Sequence, residues 1–390
     1  MSAIASTAAR HADTELDRLL AELAAYRSCD PPRLSLPPRA FTSPELYELE
    51  RTRVFGRSWM LVAHRDELAS PGDYVSLTIA GEPVVVTRDE DGALHAMSPV
   101  CRHRLMPLVE PGHGRADDFT CPYHLWKYRL DGRLKGATFM KGNPDFDPAA
   151  CRLPGFAVEE WQGLVYVNLD AGAPSLASRL APAAEELAPF RMDEMVQVVT
   201  VEEEWRVNWK LTLENGYENY HVMGFHPETL DPFMPGRGDM ELHPIDGGAL
   251  WARMPFAATL PRGAVPLPRE HRANATVMLT FPTGGLITFG DQITWLSFIP
   301  LSIDRTQVRG GVLMPPALLD GLDPQEVAEE QTAAATAVNE EDRIGLEAVQ
   351  RAVGSRFAGR GHLSPKEPGV LLFYRALAEA LVPEETPGRA

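Results

Sequence analysis

Cys101-Arg-His103 and Cys121-Pro-Tyr-His124, with 17 residues between His103 and Cys121, put two thiols and two imidazoles in short, turn-rich segments. Each segment is compact enough for one tight loop to present both of its side chains to a single centre. Two thiolates and two neutral imidazoles are what a mixed-ligand [2Fe–2S] cluster needs. The cysteines hold one iron, and the histidines lower the charge on the other and raise its reduction potential. Zinc is the rival occupant, but ordinary Cys₂His₂ zinc sites open with paired cysteines and close with paired histidines, whereas each half here mixes the two. Trp126 and Tyr128, just after His124, suit shielding such a cluster from water.

A second set lies in residues 208–226, NWKLTLENGYENYHVMGFH. Glu218 and His221 are three apart and share a face if the segment is helical. His226 follows five later, after Gly224 has let the helix end or bend. Two histidines and a carboxylate from elsewhere form the facial triad that holds Fe(II) and leaves positions open. Residues 338–357, VNEEDRIGLEAVQRAVGSRF, carry three adjacent acids, Glu340, Glu341 and Asp342, and that the carboxylate comes from this segment is what the family resemblance given next implies. Asp342 stands four after Val338, four before Leu346 and seven before Val349, on the apolar face. Glu340 faces away and Glu341 lies between. An acid buried among apolar residues needs a partner, and a metal is the natural one.

CRHR at 101–104, CPYHLWKYRLDGRL at 121–134 and the segment after Asn208-Trp209-Lys210 together resemble the Rieske non-haem iron oxygenases. The similarity is to the catalytic (α) subunits of the ring-hydroxylating family, close in motif to Glu-bridged monooxygenase members, and runs from about Glu45 to Leu381. It implies a Rieske [2Fe–2S] cluster on Cys101, His103, Cys121 and His124. It implies a mononuclear Fe(II) on His221, His226 and Asp342. Asn215 would be the asparagine of the motif, and Glu218 the acid joining His221 to His124 of the partner subunit in a head-to-tail homotrimer. Many members carry Asp at that bridge, and here the segment from Asn215 is one residue shorter, so the longer Glu restores the reach. Similar Glu-bridged versions occur among oxygenases of quaternary ammonium compounds. The family usually has Gly where Leu105 and Leu125 stand, so a local departure of backbone and packing is expected beside His124.

The elements that must carry these residues are partly legible. Leu16, Leu19, Leu20 and Leu23 give 14–27 one apolar helical face, and Ser43-Pro44-Glu45 opens a second helix. Short β segments between Gly, Pro and Asp turns fill 59–169, among them 74–79, 83–88 and 164–169. A helix near 175–190, a strand near 195–207 and a helix over 209–223 follow. Strands are then expected at 276–281, 286–290, 293–301 and 306–314, before a long helix capped by Asp323. The expected class is α+β: an all-β Rieske domain (56–170) inserted into a helix-grip, START-like catalytic domain (171–390). That domain has a large antiparallel sheet and a long C-terminal helix, with N-terminal helices (1–55) packing on it.

Composition narrows the partners. The 390 residues carry 37 Lys plus Arg against 54 Asp plus Glu, a net charge of −17. Such an excess repels phosphate backbones and anionic lipid, so neither nucleic acid nor membrane is an expected partner. Residues 1–12 lack a secretory pattern, and four cysteines are too few for a disulfide scaffold, so a cytoplasmic location is expected. Residues 97–141 are locally basic, with Arg102, Arg104, Arg115, Lys127, Arg129, Arg133, Lys135 and Lys141 against Glu110, Asp117, Asp118 and Asp131. That patch suits an acidic electron donor, or is simply solvated. Gly236-Arg-Gly238 lacks a dinucleotide fingerprint, so electrons must come from a separate reductase or ferredoxin fed by NAD(P)H.

The expected reaction is mono- or dioxygenation, or oxidative demethylation, of a small organic substrate with O₂. On first reading that substrate is aromatic; the alternative is a quaternary ammonium or betaine compound. Tyr217, Phe225, Phe233, Phe281, Phe289, Trp295 and Phe298 are the candidates to line its pocket, although any one is more often core. A non-catalytic electron carrier or zinc protein is the distant alternative, and it would need no second ligand set. His64, His95, His113, His243, His271 and His362 lack ligand spacing, and Cys29 and Cys151 read as ordinary thiols.

Overall fold

Two antiparallel sheets organise the chain in the computed structural model, which describes residues 14–382. The expectation for residues 1–12 therefore lies outside the described residues. The first sheet has seven strands in the spatial order Met60–His64, Leu164–Asn168, Gly155–Trp161, Leu94–Met97, Glu82–Arg88, Asp73–Ile79 and Gly112–Arg115. Gln162 (φ 52°) and Gly163 (φ 82°) make the two-residue turn that joins Gly155–Trp161 to Leu164–Asn168. A hairpin this tight needs positive φ at both central residues, which glycine adopts without strain. Three short strands, Phe119–Thr120, Lys127–Tyr128 and Leu134–Gly136, form a small separate sheet beside it.

The second large sheet also has seven strands: Val196–Trp205, Arg305–Met314, Gln292–Ser302, Gly284–Phe289, Asn274–Thr280, Leu250–Pro255 and Glu241–Pro244. The last two were not expected from sequence, because LWARMP alternates only weakly and ELHP is short. The long helix Pro324–Val353 packs on the edge strand Val196–Trp205, with the Asp323 carboxylate accepting from the Gln325 amide at 2.7 Å. The expected helix over 175–190 is instead two short helices, Leu176–Arg179 and Ala181–Leu187, separated at Leu180 ahead of Pro182. The early helix Glu15–Ala24, capped by Thr14, lies against the final helix Pro368–Leu381.

The two sheets meet over a shared core that includes Val62, Val75, Ile79, Ile299 and Val308. At the contact the Ser297 hydroxyl donates to the Leu61 carbonyl at 2.7 Å, and the buried Arg309 guanidinium pairs with Glu67 at 2.8 Å. An unpaired guanidinium there would be very costly, so the pair fixes how the sheets sit on each other. A separate cluster under the cysteine loops contains Val85, Cys101, Phe119, Cys121, Trp126 and Leu153.

Candidate metal centres

The cysteine–histidine segments fold as two like loops. Cys101 N donates to Met106 O and Leu105 N to Cys101 O; Cys121 N donates to Trp126 O and Leu125 N to Cys121 O, all between 2.7 and 3.0 Å. Leu105 (φ 58°) and Leu125 (φ 60°) take the left-handed backbone where the family usually has glycine. The expected departure of the backbone is corrected here: the loop geometry imposes positive φ, and leucine bears the strain. Cys101 and Cys121 are buried, and the His103 and His124 rings stand 4.6 Å apart between centroids. Trp126 stacks on His103 at 4.9 Å, and the Tyr128 hydroxyl lies 3.4 Å from Cys101 Sγ while accepting from Arg102 N. His124 Nδ1 is buried with no hydrogen-bond partner among the described residues. An orphaned ring nitrogen beside two buried thiols is the environment that a [2Fe–2S] cluster would complete.

The second set gathers around a break in the motif helix. Residues 209–223 do not form one helix: Trp209–Gly216 and Val222–Phe225 are helical, and Glu218 and His221 sit in the turn between them. Their proximity comes from this turn, in which the Glu218 side chain folds back on His221, rather than from a helical face. The two oxygens of Glu218 accept from His221 N (3.0 Å) and meet His221 Nδ1 (2.7 Å). His226, fully buried, places Nε2 at 3.1 Å from Asp342 Oδ1 and Nδ1 at 2.7 Å from Glu341 Oε2. His221 Nε2 is 3.9 Å from the same Asp342 oxygen. Ligand atoms of His221, His226 and Asp342 all lie within 4.8 Å of one another. Burial acts to lower the His226 pKa, but the hydrogen bonds from Asp342 and Glu341 outweigh it and raise it. This donor set, two imidazoles aimed at one carboxylate with each Nδ1 already held by an acid, fits a divalent iron.

Asn215 Nδ2 donates to Asp342 Oδ1 at 3.1 Å, so the motif asparagine orients the carboxylate. Glu341, a rival for the ligand role in the sequence, instead holds His226 from behind, with the Thr229 hydroxyl donating to it at 2.6 Å. Its place beside Asp342 was the available signal; Thr229 had none. The side chain of Asp342 is 17% exposed and that of Glu340 46%, as the apolar phasing of the helix required. Val349 is exposed, so the buried face runs through Asn339, Asp342 and Leu346 and stops there.

The three side chains open onto a cavity of ≈190 Å³ walled by the second sheet. Strand alternation selects the wall: Thr294, Leu296 and Phe298 face the cavity, while Ile293 and Trp295 turn to the opposite core. Of the seven aromatics considered, only Phe298 lines it. Tyr217 and Phe281 pack around Phe373, Trp295 donates to Gln197, Phe225 lies against Gly345, and Phe233 and Phe289 are exposed.

Comparison with known proteins agrees with this geometry. Residues 58–151 match the Rieske [2Fe-2S] domain, and residues 192–382 match the ring hydroxylating alpha subunit (catalytic domain). The chain belongs to the Rieske oxygenase α-subunit family. Members of this family hold a [2Fe–2S] cluster and a mononuclear iron. Among its relatives are the glycine betaine monooxygenase oxygenase subunit of Chromohalobacter salexigens and the anthranilate 1,2-dioxygenase large subunit of Acinetobacter baylyi. The first is 36% identical over 50% of this chain and 44% of that protein; the second is 34% identical over 48% and 41%. The chain thus spans about half the length of the curated relatives it matches. In three dimensions it resembles a quaternary ammonium Rieske monooxygenase, with TM-score 0.76 and 25% identity over 89% of this chain and 95% of that one. Among the described residues no helix is long and apolar enough to cross a membrane.

Proposed function

We propose that this chain is a terminal oxygenase subunit, with Cys101, His103, Cys121 and His124 holding the [2Fe–2S] cluster and His221, His226 and Asp342 holding the mononuclear iron. When bound, the cluster supplies electrons one at a time and the iron activates O₂ beside an organic substrate. The reaction is a hydroxylation, a dioxygenation or an oxidative demethylation. The observation that carries this reading is the His221–His226–Asp342 trio opening onto an apolar cavity, in a chain that also carries the two cysteine–histidine loops. An electron carrier has no use for that second set.

Each residue has a distinct task. Glu218 and Glu341 hold the Nδ1 atoms of His221 and His226, which leaves both Nε2 atoms directed at Asp342. Asn215 fixes the Asp342 oxygen. The apolar walls exclude water from the reacting space. Glu218 also bridges His221 to His124 of the partner subunit in a head-to-tail homotrimer, whose closed symmetry satisfies such a heterologous contact. Two exposed apolar patches support that contact: Leu105, Met106, Tyr123 and Leu125 around the cluster loops, and Tyr220 with Ile344 beside the mononuclear site. The basic residues flanking the cluster, with Arg104 and Arg102 exposed, suit an acidic ferredoxin or reductase fed by NAD(P)H. The chain divides into an N-terminal segment over 1–55, helical in its described part, the Rieske domain over 56–170 and the catalytic domain over 171–390, and works in the cytoplasm, where Cys29 and Cys151, outside the cluster, stay reduced.

Metal analysis with visible and EPR spectra tests the reading. Three irons per chain with a Rieske signal are expected; a colourless protein holding zinc would refute it.

A further inference from the structure

The cavity beside the mononuclear site has an unusual chemistry for a chain whose relatives include a glycine betaine monooxygenase. Glycine betaine is a zwitterion, so a site for it must supply a partner for a carboxylate and one for a trimethylammonium. No Lys, Arg, Tyr or Trp lines this cavity among the described residues, and Phe298 is its only aromatic. A cation–π cage is built from several rings, and a buried carboxylate is best matched by a positively charged donor or several N–H groups. The two acids that face the space are already engaged. Both oxygens of Glu218 are on His221, and Asp342 meets His226 and Asn215. Desolvating either end of a zwitterion here would go uncompensated.

Among the described residues two polar side chains of the lining make no hydrogen bond, the Thr294 hydroxyl on the sheet wall and the amide of Asn339 on the long helix, and the amide, which both donates and accepts, is the nearer in sequence to Asp342. Asn339 lines the cavity, is 6% exposed, and its side-chain amide makes no hydrogen bond among the described residues. It stands three residues before Asp342 on the long helix, so it shares that face about one turn away. By contrast, the amides of Asn215 and Asn219 are tied to Asp342 and to the Gly238 carbonyl. An amide that opens on the cavity from a residue only 6% exposed is free to pair with a group on a bound ligand. Gly285 also lines the cavity, and a Cβ there would come within 2.9 Å of Leu279.

We propose that the substrate is an uncharged, largely hydrocarbon molecule bearing one neutral hydrogen-bonding group, and that Asn339 binds that group and thereby sets specificity. This rests on the oxygenase reading and names the substrate class of the same site. Van der Waals contact with Met254, Leu279, Leu296 and Phe298 holds the skeleton, and the amide of Asn339 fixes its orientation relative to the metal.

The test compares two molecules of matched shape, glycine betaine and 3,3-dimethylbutanamide, in which carbon replaces the ammonium and an amide replaces the carboxylate. Binding to the iron-loaded protein is measured by calorimetry under argon. The neutral amide is expected to bind at least tenfold more tightly than glycine betaine. Asn339→Leu should weaken the amide about tenfold, the contribution of one buried hydrogen bond, with iron content and the Rieske spectrum unchanged. A fully iron-loaded protein that prefers glycine betaine overturns the substrate class and leaves the oxygenase reading standing. An Asn339→Leu variant with undiminished amide binding overturns the role of Asn339. Failure of the oxygenase reading is a different result, namely zinc in place of iron and no Rieske spectrum.

Discussion

At the scale of single residues, the proposed ligands that are close in sequence can be picked out from it, and the residues that hold them in place cannot. Cys101 with His103 and Cys121 with His124 stand out by spacing, whereas His221 with His226 is a weak pattern by itself and gains its weight from following the cysteine–histidine segments. Glu341 reaches His226 across 115 positions, and no local pattern announces such a contact. The strained leucines give a direct prediction at this scale. Within the single chain both are largely exposed, 76% for Leu105 and 59% for Leu125, so in the dissociated subunit replacing them with glycine sacrifices little apolar burial and removes the cost of left-handed backbone. Leu105→Gly and Leu125→Gly should each stabilise the cluster loops by about 1 kcal/mol, seen as a higher midpoint for loss of the Rieske absorption on heating. A lower midpoint in both would show that the side chains contribute more than the strain costs. At Tyr128 the hydroxyl beside Cys101 Sγ stabilises electron density on sulfur. Tyr128→Phe should therefore lower the cluster's reduction potential in a redox titration, and an unchanged potential would remove that role.

At the scale of elements, the motif helix shows what the sequence could and could not say. Its start was readable, since Asn208 caps it by accepting from Lys210 N at 3.0 Å. Its early end at Gly216 was not, because the alternation of charge and aromatic residues in ENGYENYH fits a helix as well as a turn. What anchors this helix is a pair from a distant segment. Lys210 Nζ and Glu50 Oε1 meet at 2.7 Å with almost no exposure, and Trp209 Nε1 donates to Glu50 at 2.9 Å. Glu50→Gln leaves a buried ammonium without its counter-charge and should cost roughly 3 kcal/mol of stability in urea unfolding. Replacing both partners together, Glu50→Leu with Lys210→Met, should recover most of that loss; a double variant as unstable as the single would contradict it. The pocket wall taught the same lesson. Strand positions 293–301 were found, but the phase that points Thr294, Leu296 and Phe298 inward depends on pairing with Gly284–Phe289, which no single segment encodes.

For the whole molecule, the α+β architecture with its β module and large antiparallel sheet was legible from the change of texture along the chain. The long-range acid–base balance was not. Burial pushes Glu214 up to about 8, against the hydrogen bond donated by Tyr374 and the nearby Lys210, which lower it. The folded chain thus keeps a proton there that the unfolded chain releases above 4.5. The stability this proton confers is complete below that value and is lost as pH rises toward 8. Glu214→Gln, which is neutral at all pH, should melt like the parent at pH 5 and several degrees higher at pH 9; equal melting at both would contradict the assignment. In the proposed mechanism the cluster and the mononuclear iron act as one path joined at Glu218. Its most direct test is stopped-flow reoxidation of the reduced Rieske cluster by O₂ in a single turnover with substrate, comparing the parent with Glu218→Gln at matched iron content. At least a hundredfold slower reoxidation in the variant is the predicted result, and reoxidation at the parental rate with both centres loaded would contradict the account.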